Sequence, residues 1–230
     1  MFFDPLYMIM LLPALLLAGI ASIITKSTFS KYARISASSG VTGAEAAARL
    51  LERNGIHDVR IERTSGFLSD HYDPRARTLR LSANVHDSNS LSAIGVACHE
   101  AGHALQHADH YAPLALRSAL VPVTQVGTIA PYIILPVGFI LGSMALIKIG
   151  IALFAVVVLF SLITLPVEWN ASARAKQLMV SSGIVSAKEQ ERAAQVLNAA
   201  FLTYIAAAVS ALLTLLYFLL RSGLLGGRRD

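Results

Sequence analysis

Residues 97–110 read ACHEAGHALQHADH and gather four histidines and a glutamate into a few turns of chain. Within them His99, Glu100 and His103 form the pattern HExxH. On a helix, residues four apart share a face, so both imidazoles can reach one ion. Glu100 is turned off that axis by its place beside His99, yet it stays near the ion. There it is placed to take a proton from water that the metal has acidified. The chemistry implied is metal-assisted hydrolysis. It requires the segment to be helical. Leu91, Ile94, Ala97, Cys98, Ala101, Leu105 and Ala108 recur at helical spacing, and Asp87, Ser88 and Ser90 offer caps ahead of them. The alternative is a pair of histidines on a solvated helix face. Histidine needs a reason to sit among apolar neighbours, and a metal supplies one.

A catalytic zinc site normally takes three protein ligands and keeps a position for water. The longer pattern HExxHxxGxxH is not met, because Asp109 stands at its last histidine. His107 lies a further turn along and has drifted roughly 80 degrees from His99. His107 and His110 therefore read as surface or supporting groups. The better third ligand is Glu168, in LPVEWNASARA, just after Pro166. An acid at the end of an apolar block is costly unless paired or hydrated. Two membrane crossings after His103 would also return the chain to the same side at Glu168. The alternative is an interfacial glutamate facing water.

The elements that must hold these residues belong to a membrane protein. The chain of 230 residues is 55% hydrophobic and 14% charged, with a mean hydropathy of +0.59. Apolar blocks lie at about 6–24, 120–147, 150–167 and 201–220, each near the ~18–20 residues that cross a bilayer. The second is overlong and carries Pro122, Pro131 and Pro136, which predicts one kinked helix. The first block lacks a basic leader and reads as an uncleaved anchor. The resulting organisation is a first transmembrane helix at 1–25 and a catalytic region with the HExxH helix at 26–119. A transmembrane hairpin follows at 120–167. A helical region with the third ligand takes 168–200, and 201–230 holds the last transmembrane helix and a basic tail.

Within the polar regions, TKSTFSKYARISASSG reads as a linker and VTGAEAAARLLERNGI as a helix, with Thr42 and Glu45 as a capping box and Gly55 as its stop. VRIER and TLRLSANV alternate like two strands, with SDHYDPRAR between them. A break at SSG precedes a second capping box, Ser186 and Glu189, whose helix runs on into the last span. The single cysteine, Cys98, rules out an internal disulfide and reads as a buried thiol, not a ligand.

The sequence pI near 9.6 does not indicate nucleic acid, since the basic residues are scattered among acids and form no stripe. They fit membrane-flanking charge. Lys26, Lys31, Arg34, Arg117, Arg174 and Lys176 put the two polar regions in the cytoplasm, while Lys148, Arg221, Arg228 and Arg229 fall on the other side.

Taken together, NSLSAIGVACHEAGHALQHA, DHYDPRARTLRLS, APLALRSALVP, LPVEWNASARA and VLNAAFLTYIAAA resemble the YugP-type neutral zinc metallopeptidases of bacteria, over nearly the whole chain. HExxH paired with Glu168 is more distantly similar to the gluzincins, among them the membrane-embedded HtpX-type peptidases with their ExxAD motif. Here that motif reads EWNAS, so Ser172 stands where those relatives carry Asp. Ser172 still offers a hydrogen bond to a ligand histidine, and Asn170 could share the task.

The resemblance implies a mostly α membrane protein, with about four transmembrane helices and a small α+β zincin-like catalytic domain built on a short hairpin or sheet. It implies a zinc endopeptidase of the bacterial cell membrane. One Zn2+ per chain would be held by His99, His103 and Glu168, with Glu100 as the general base. The substrate would be a protein or peptide, met at the bilayer surface. His71 and Tyr72 are candidate oxyanion donors, although DHYDP reads equally well as a turn held by Asp73 before Pro74. Arg174 fits either a salt bridge or the oxyanion. TLRLSANV offers an edge to which a substrate could add as a strand. The rival reading is a non-catalytic membrane scaffold, or a metal-binding protein such as a transporter. The intact Glu100 argues against it, because a structural zinc site has no use for a general base.

Overall fold

Uninterrupted apolar sequence makes long helices here, and the computed structural model, which describes residues 5–66 and 69–225, has eight helices and three strands. In chain order these are α1 (Pro5–Tyr32), α2 (Gly43–Arg53), β1 (Arg60–Thr64), β2 (His71–Asp73), β3 (Thr78–Ser82), α3 (Ala83–His86), α4 (Leu91–Ala108), α5 (Ala112–Gly127), α6 (Ala130–Ile140), α7 (Met144–Ser181) and α8 (Ala187–Arg221). The basic tail with Arg228 and Arg229 lies outside the described residues. The architecture is that of a mostly α membrane protein with a small sheet.

The chain divides into two compact units. One comprises the chain up to Ala21, Leu116–Leu165 and the chain from Thr203. Its helices expose large apolar side chains such as Ile9, Leu16, Ile133 and Ile140, as a lipid-facing surface does. Leu135, Ile147, Ile151, Tyr217 and Phe218 form its internal cluster. Three helices, α1, α7 and α8, are long and apolar enough to span a bilayer. The pair α5 and α6 makes a fourth candidate, bent by 44° at the break between them. The expected single kinked helix is thus two helices. Pro131, in the first turn of α6, has no N–H to continue the α5 ladder. The overlong block also ends earlier than expected. A turn with Gly142 at φ +62° closes it, and α7 has begun by Met144.

The other unit, Ser22–Ala115 with Pro166–Leu202, contains the polar elements. α2 starts at the expected capping box. Thr42 Oγ1 accepts from Glu45 N, and Glu45 Oε2 accepts from Thr42 N. Its Ala46, Ala47, Leu50 and Leu51 are buried in one cluster with Leu91, Ile94, Ala97 and Ala101 of α4. α8 starts at the second box, where Glu189 accepts from the amide and hydroxyl of Ser186. The same carboxylate accepts from Ser38, so it also anchors the loop before α2.

Three expectations need correction. The linker is helical up to Tyr32, because tertiary contacts hold it. Tyr32 Oη donates to Gln195 Oε1 at 2.6 Å, Thr25 Oγ1 donates to the Ala199 carbonyl at 2.9 Å, and Tyr32 itself is buried. The strands number three, in the order β1-β3-β2, with β1 parallel and β2 antiparallel to β3. TLRLSANV is therefore no edge: TLRLS is the central strand, and ANV belongs to α3. Burial explains it, since Thr78, Leu79, Leu81 and Ser82 are all buried, as a strand covered on both faces requires. Glu168 itself lies within α7, which runs unbroken through Pro166 to Ser181.

At the start of α2, a Cβ on Gly43 would come within 2.2 Å of the Val85 carbonyl oxygen. Gly43→Ala should therefore lose about 1–3 kcal/mol and melt measurably earlier by circular dichroism in detergent. Gly19→Ala, with nothing within 4 Å of the new carbon, should not. Equal melting temperatures for the two variants would contradict this packing.

Candidate metal centre

α4 has a polar start and an apolar body. Ser90 caps it, its hydroxyl accepting from Ala93 N at 3.2 Å. At the other end His110 takes a left-handed conformation, φ 52°, and Tyr111 N donates back to the Gln106 carbonyl. Between these ends nearly every residue is buried, so any polar side chain on α4 needs a partner inside the protein. Gly102 decides which partner. A Cβ there would lie 2.6 Å from the carbonyl oxygen of Ala171, so the backbones of α4 and α7 touch at this point. His99 and His103 flank Gly102 on one helix, and Glu168 and Ser172 flank Ala171 on the other.

The result is a tight cluster. His99 Nε2 lies 3.1 Å and His103 Nε2 3.6 Å from the same oxygen, Glu168 Oε2. One ligand-capable atom from each of the three residues falls within 4.8 Å of the others. Among the described residues this is the one group of three or more such side chains that could hold a metal. The rings of His99 and His103 meet edge to face, with centroids 4.8 Å apart. Both imidazoles have their other nitrogen occupied. His99 Nδ1 is 3.0 Å from Ser172 Oγ, and His103 Nδ1 is 3.0 Å from Gln106 Oε1. Two imidazole nitrogens and one carboxylate oxygen facing one point are the donor set of a catalytic zinc site. Burial works against a charge on His103, but the Glu168 carboxylate, with Glu100 nearby, turns its shift upward. The same field favours a metal cation, so the residues fit the ion.

Glu100 is only 9% exposed. No hydrogen bond or ion pair occupies its carboxylate among the described residues, although its charge acts on His103.

The remaining candidates separate. Ser172 is on His99. Asn170 is not; its Oδ1 accepts from Gln106 Nε2 and from Arg174 Nε. Arg174 forms a salt bridge with Asp109, the C-cap of α4. His107 accepts or donates at Tyr72 Oη, 2.8 Å away, and is not part of the cluster. His110 is exposed on the αL cap. Neighbouring side chains on β2 face opposite ways. Tyr72 turns to α4, and burial raises its phenol pKa, so it stays protonated. His71 stays on the exposed side, with Nδ1 on the Ser69 carbonyl. Sequence reading missed Gln106, which is fully buried. The one available signal was an amide in the position that HExxHxxGxxH gives to glycine.

With this geometry in view, residues 7–223 match the family model described as "Putative neutral zinc metallopeptidase". The chain is similar to the "Putative membrane protease YugP" of Bacillus subtilis (strain 168), at 49% identity over 216 residues, 94% of this chain and 96% of that protein. No solved structure matches.

Cys98 precedes His99 yet is buried in the core, where burial pushes its thiol up to about 12. In folded protein at pH 8 it should resist a thiol reagent and react only after denaturation. Rapid labelling of the native protein would contradict its place in the core.

Proposed function

The chain belongs to the neutral zinc metallopeptidase family, and from that premise we propose a zinc-dependent endopeptidase that cleaves protein or peptide substrates at the membrane surface. The observation that carries this is the convergence of His99, His103 and Glu168 beside Glu100, whose carboxylate is unengaged among the described residues. His99, His103 and Glu168 would hold one Zn2+. When bound, zinc polarises the scissile carbonyl and makes water more acidic. Glu100 takes the proton of the attacking water and delivers it to the leaving amine. Ser172 keeps the His99 ring turned so that Nε2 faces Glu168. Tyr72 is the proposed oxyanion donor, protonated and standing on His107, one turn past His103. His71 faces the other way.

Trp169 supports the surface location. It follows Glu168, is 57% exposed, and carries the Lys176 ammonium 5.4 Å from its ring centre. An exposed indole with a cation is what headgroup level favours. Glu168 then lies at that depth, and the substrates are membrane proteins or their juxtamembrane segments. The basic residues Lys26, Lys31, Arg34, Arg117, Arg174 and Lys176 support the cytoplasmic side for the site.

Glu100→Gln should keep zinc near the wild-type level and lose activity by about 10²–10⁴-fold. Glu168→Ala should lose zinc and activity together, and His107→Ala should keep its zinc. Ser172→Ala should cost about tenfold in metal affinity. Metal analysis beside a peptide-cleavage assay reads all four. Cleavage by Glu100→Gln would overturn the mechanism and favour a metal-binding scaffold.

Orientation has its own test. In intact cells an impermeant thiol reagent should label Ser222→Cys and spare Ser38→Cys. The reverse pattern would place the site outside.

A further inference from the structure

We propose that Gln106 is a positioning residue that fixes which nitrogen of His103 faces the metal, and that Asn170, Arg174 and Asp109 hold Gln106 in that orientation. This rests on the reading of His103 as a ligand.

A side-chain amide has two nearly identical ends, so its partners must decide its orientation. For Gln106 they do. One end lies 2.8 Å from the Val167 carbonyl, which can only accept, so that end is the NH2 group. The same group lies 3.0 Å from Asn170 Oδ1. Asn170 is itself oriented by Arg174 Nε, which can only donate, at 2.9 Å. Arg174 is held in turn by its ion pair with Asp109. Every link from Asp109 to Gln106 thus has one direction. The free end of Gln106 must be its carbonyl, and the group it faces, His103 Nδ1, must donate. Nδ1 then carries the proton, and Nε2, the nitrogen facing Glu168, is the one left to give a lone pair to a bound cation.

Flipping the amide would set its NH2 against His103 Nδ1 and its carbonyl against two other oxygens. Gln106 is fully buried, so no water would repair the loss, and each orphaned group costs about 1–3 kcal/mol. His99 is held differently. Its partner, the Ser172 hydroxyl, both donates and accepts, so it tolerates either tautomer. The chain also sets position. Val167 directly precedes Glu168, so Gln106 ties one ligand's ring to the backbone beside another.

The test uses the full chain in detergent, with zinc affinity read by chelator competition and folding by thermal melting. Gln106→Met keeps the volume and removes both polar ends. It should bind zinc about 10–100-fold more weakly. Asn170→Leu, one link further out, should lose about tenfold, and Asn170→Asp, which keeps the acceptor, should bind more tightly than Asn170→Leu. A second readout is independent of metal and activity. In metal-free protein at alkaline pH, ¹⁵N-histidine spectra should show His103 Nδ1 protonated in the wild type and unprotonated in Gln106→Met, whatever Nε2 shares with Glu168. Should Gln106→Met fail to fold, the two Asn170 variants carry the same comparison. Wild-type affinity in Gln106→Met or Asn170→Leu, or a wild-type His103 without a proton on Nδ1, overturns the proposal. Glu168→Ala binding zinc like the wild type would instead refute the ligand set beneath it.

Discussion

The whole site depends on one backbone contact. α4 and α7 approach so closely at Gly102 that any side chain there would strike the Ala171 carbonyl. That approach lets the short Glu168 side chain reach two imidazoles on another helix, and lets Ser172 reach the back of one of them. It also brings a carboxylate into an environment where it is 1% exposed. An ion buried in this way costs several kcal/mol unless it is paired. Both histidines pair with it, and a cation held with them would add to that pairing. Close packing and charge are thus one design problem: the glycine that permits the approach also brings the carboxylate and the two imidazoles together.

What could be read from sequence was local, or carried an energetic penalty visible in one dimension. The capping boxes at Thr42 and Ser186 involve neighbours three residues apart, and both helices start there. HExxH needs only a helix. Glu168 could be found because an acid at the end of an apolar run demands an explanation. What could not be read depended on distant partners. The last turns of α1 are held by residues of α8 more than 160 positions away. β2 is three residues long, and as an isolated segment it is indistinguishable from a turn. Gln106 is an ordinary polar residue until α7 supplies the Val167 carbonyl and Asn170. The break between α5 and α6 falls between Pro122 and Pro131, in a block whose prolines also fit one kinked helix.

The strand order changes how a substrate could meet this site. β3 is paired on both sides and has no edge to give. An added strand must choose β1 or β2. β1 carries Arg60, Glu62 and Arg63, with ion pairs along it to Arg80 and Asp87, the kind of charged edge that resists pairing. β2 is short, but Tyr72 links it to His107 on the metal-site helix. A peptide laid along β2 would run beside α4, and one laid along β1 would have the rest of the sheet between it and that helix.

Glu100 separates hydrolysis from mere metal binding. Glu100 is 9% exposed and its carboxylate is unpaired among the described residues, whereas Glu168 has both histidines. A scaffold that only held zinc would need no ionisable side chain at position 100. Such a side chain has a use if the group must exchange a proton during the reaction. A carboxylate already locked in a salt bridge or a set of hydrogen bonds would hold its charge too firmly to accept one. Leaving Glu100 unengaged, beside two imidazoles whose back nitrogens are pinned by Ser172 and Gln106, divides the labour. On the proposed reading, the residues that would hold the ion are fixed in place, and the acid assigned the proton is left without a hydrogen bond or ion pair among the described residues.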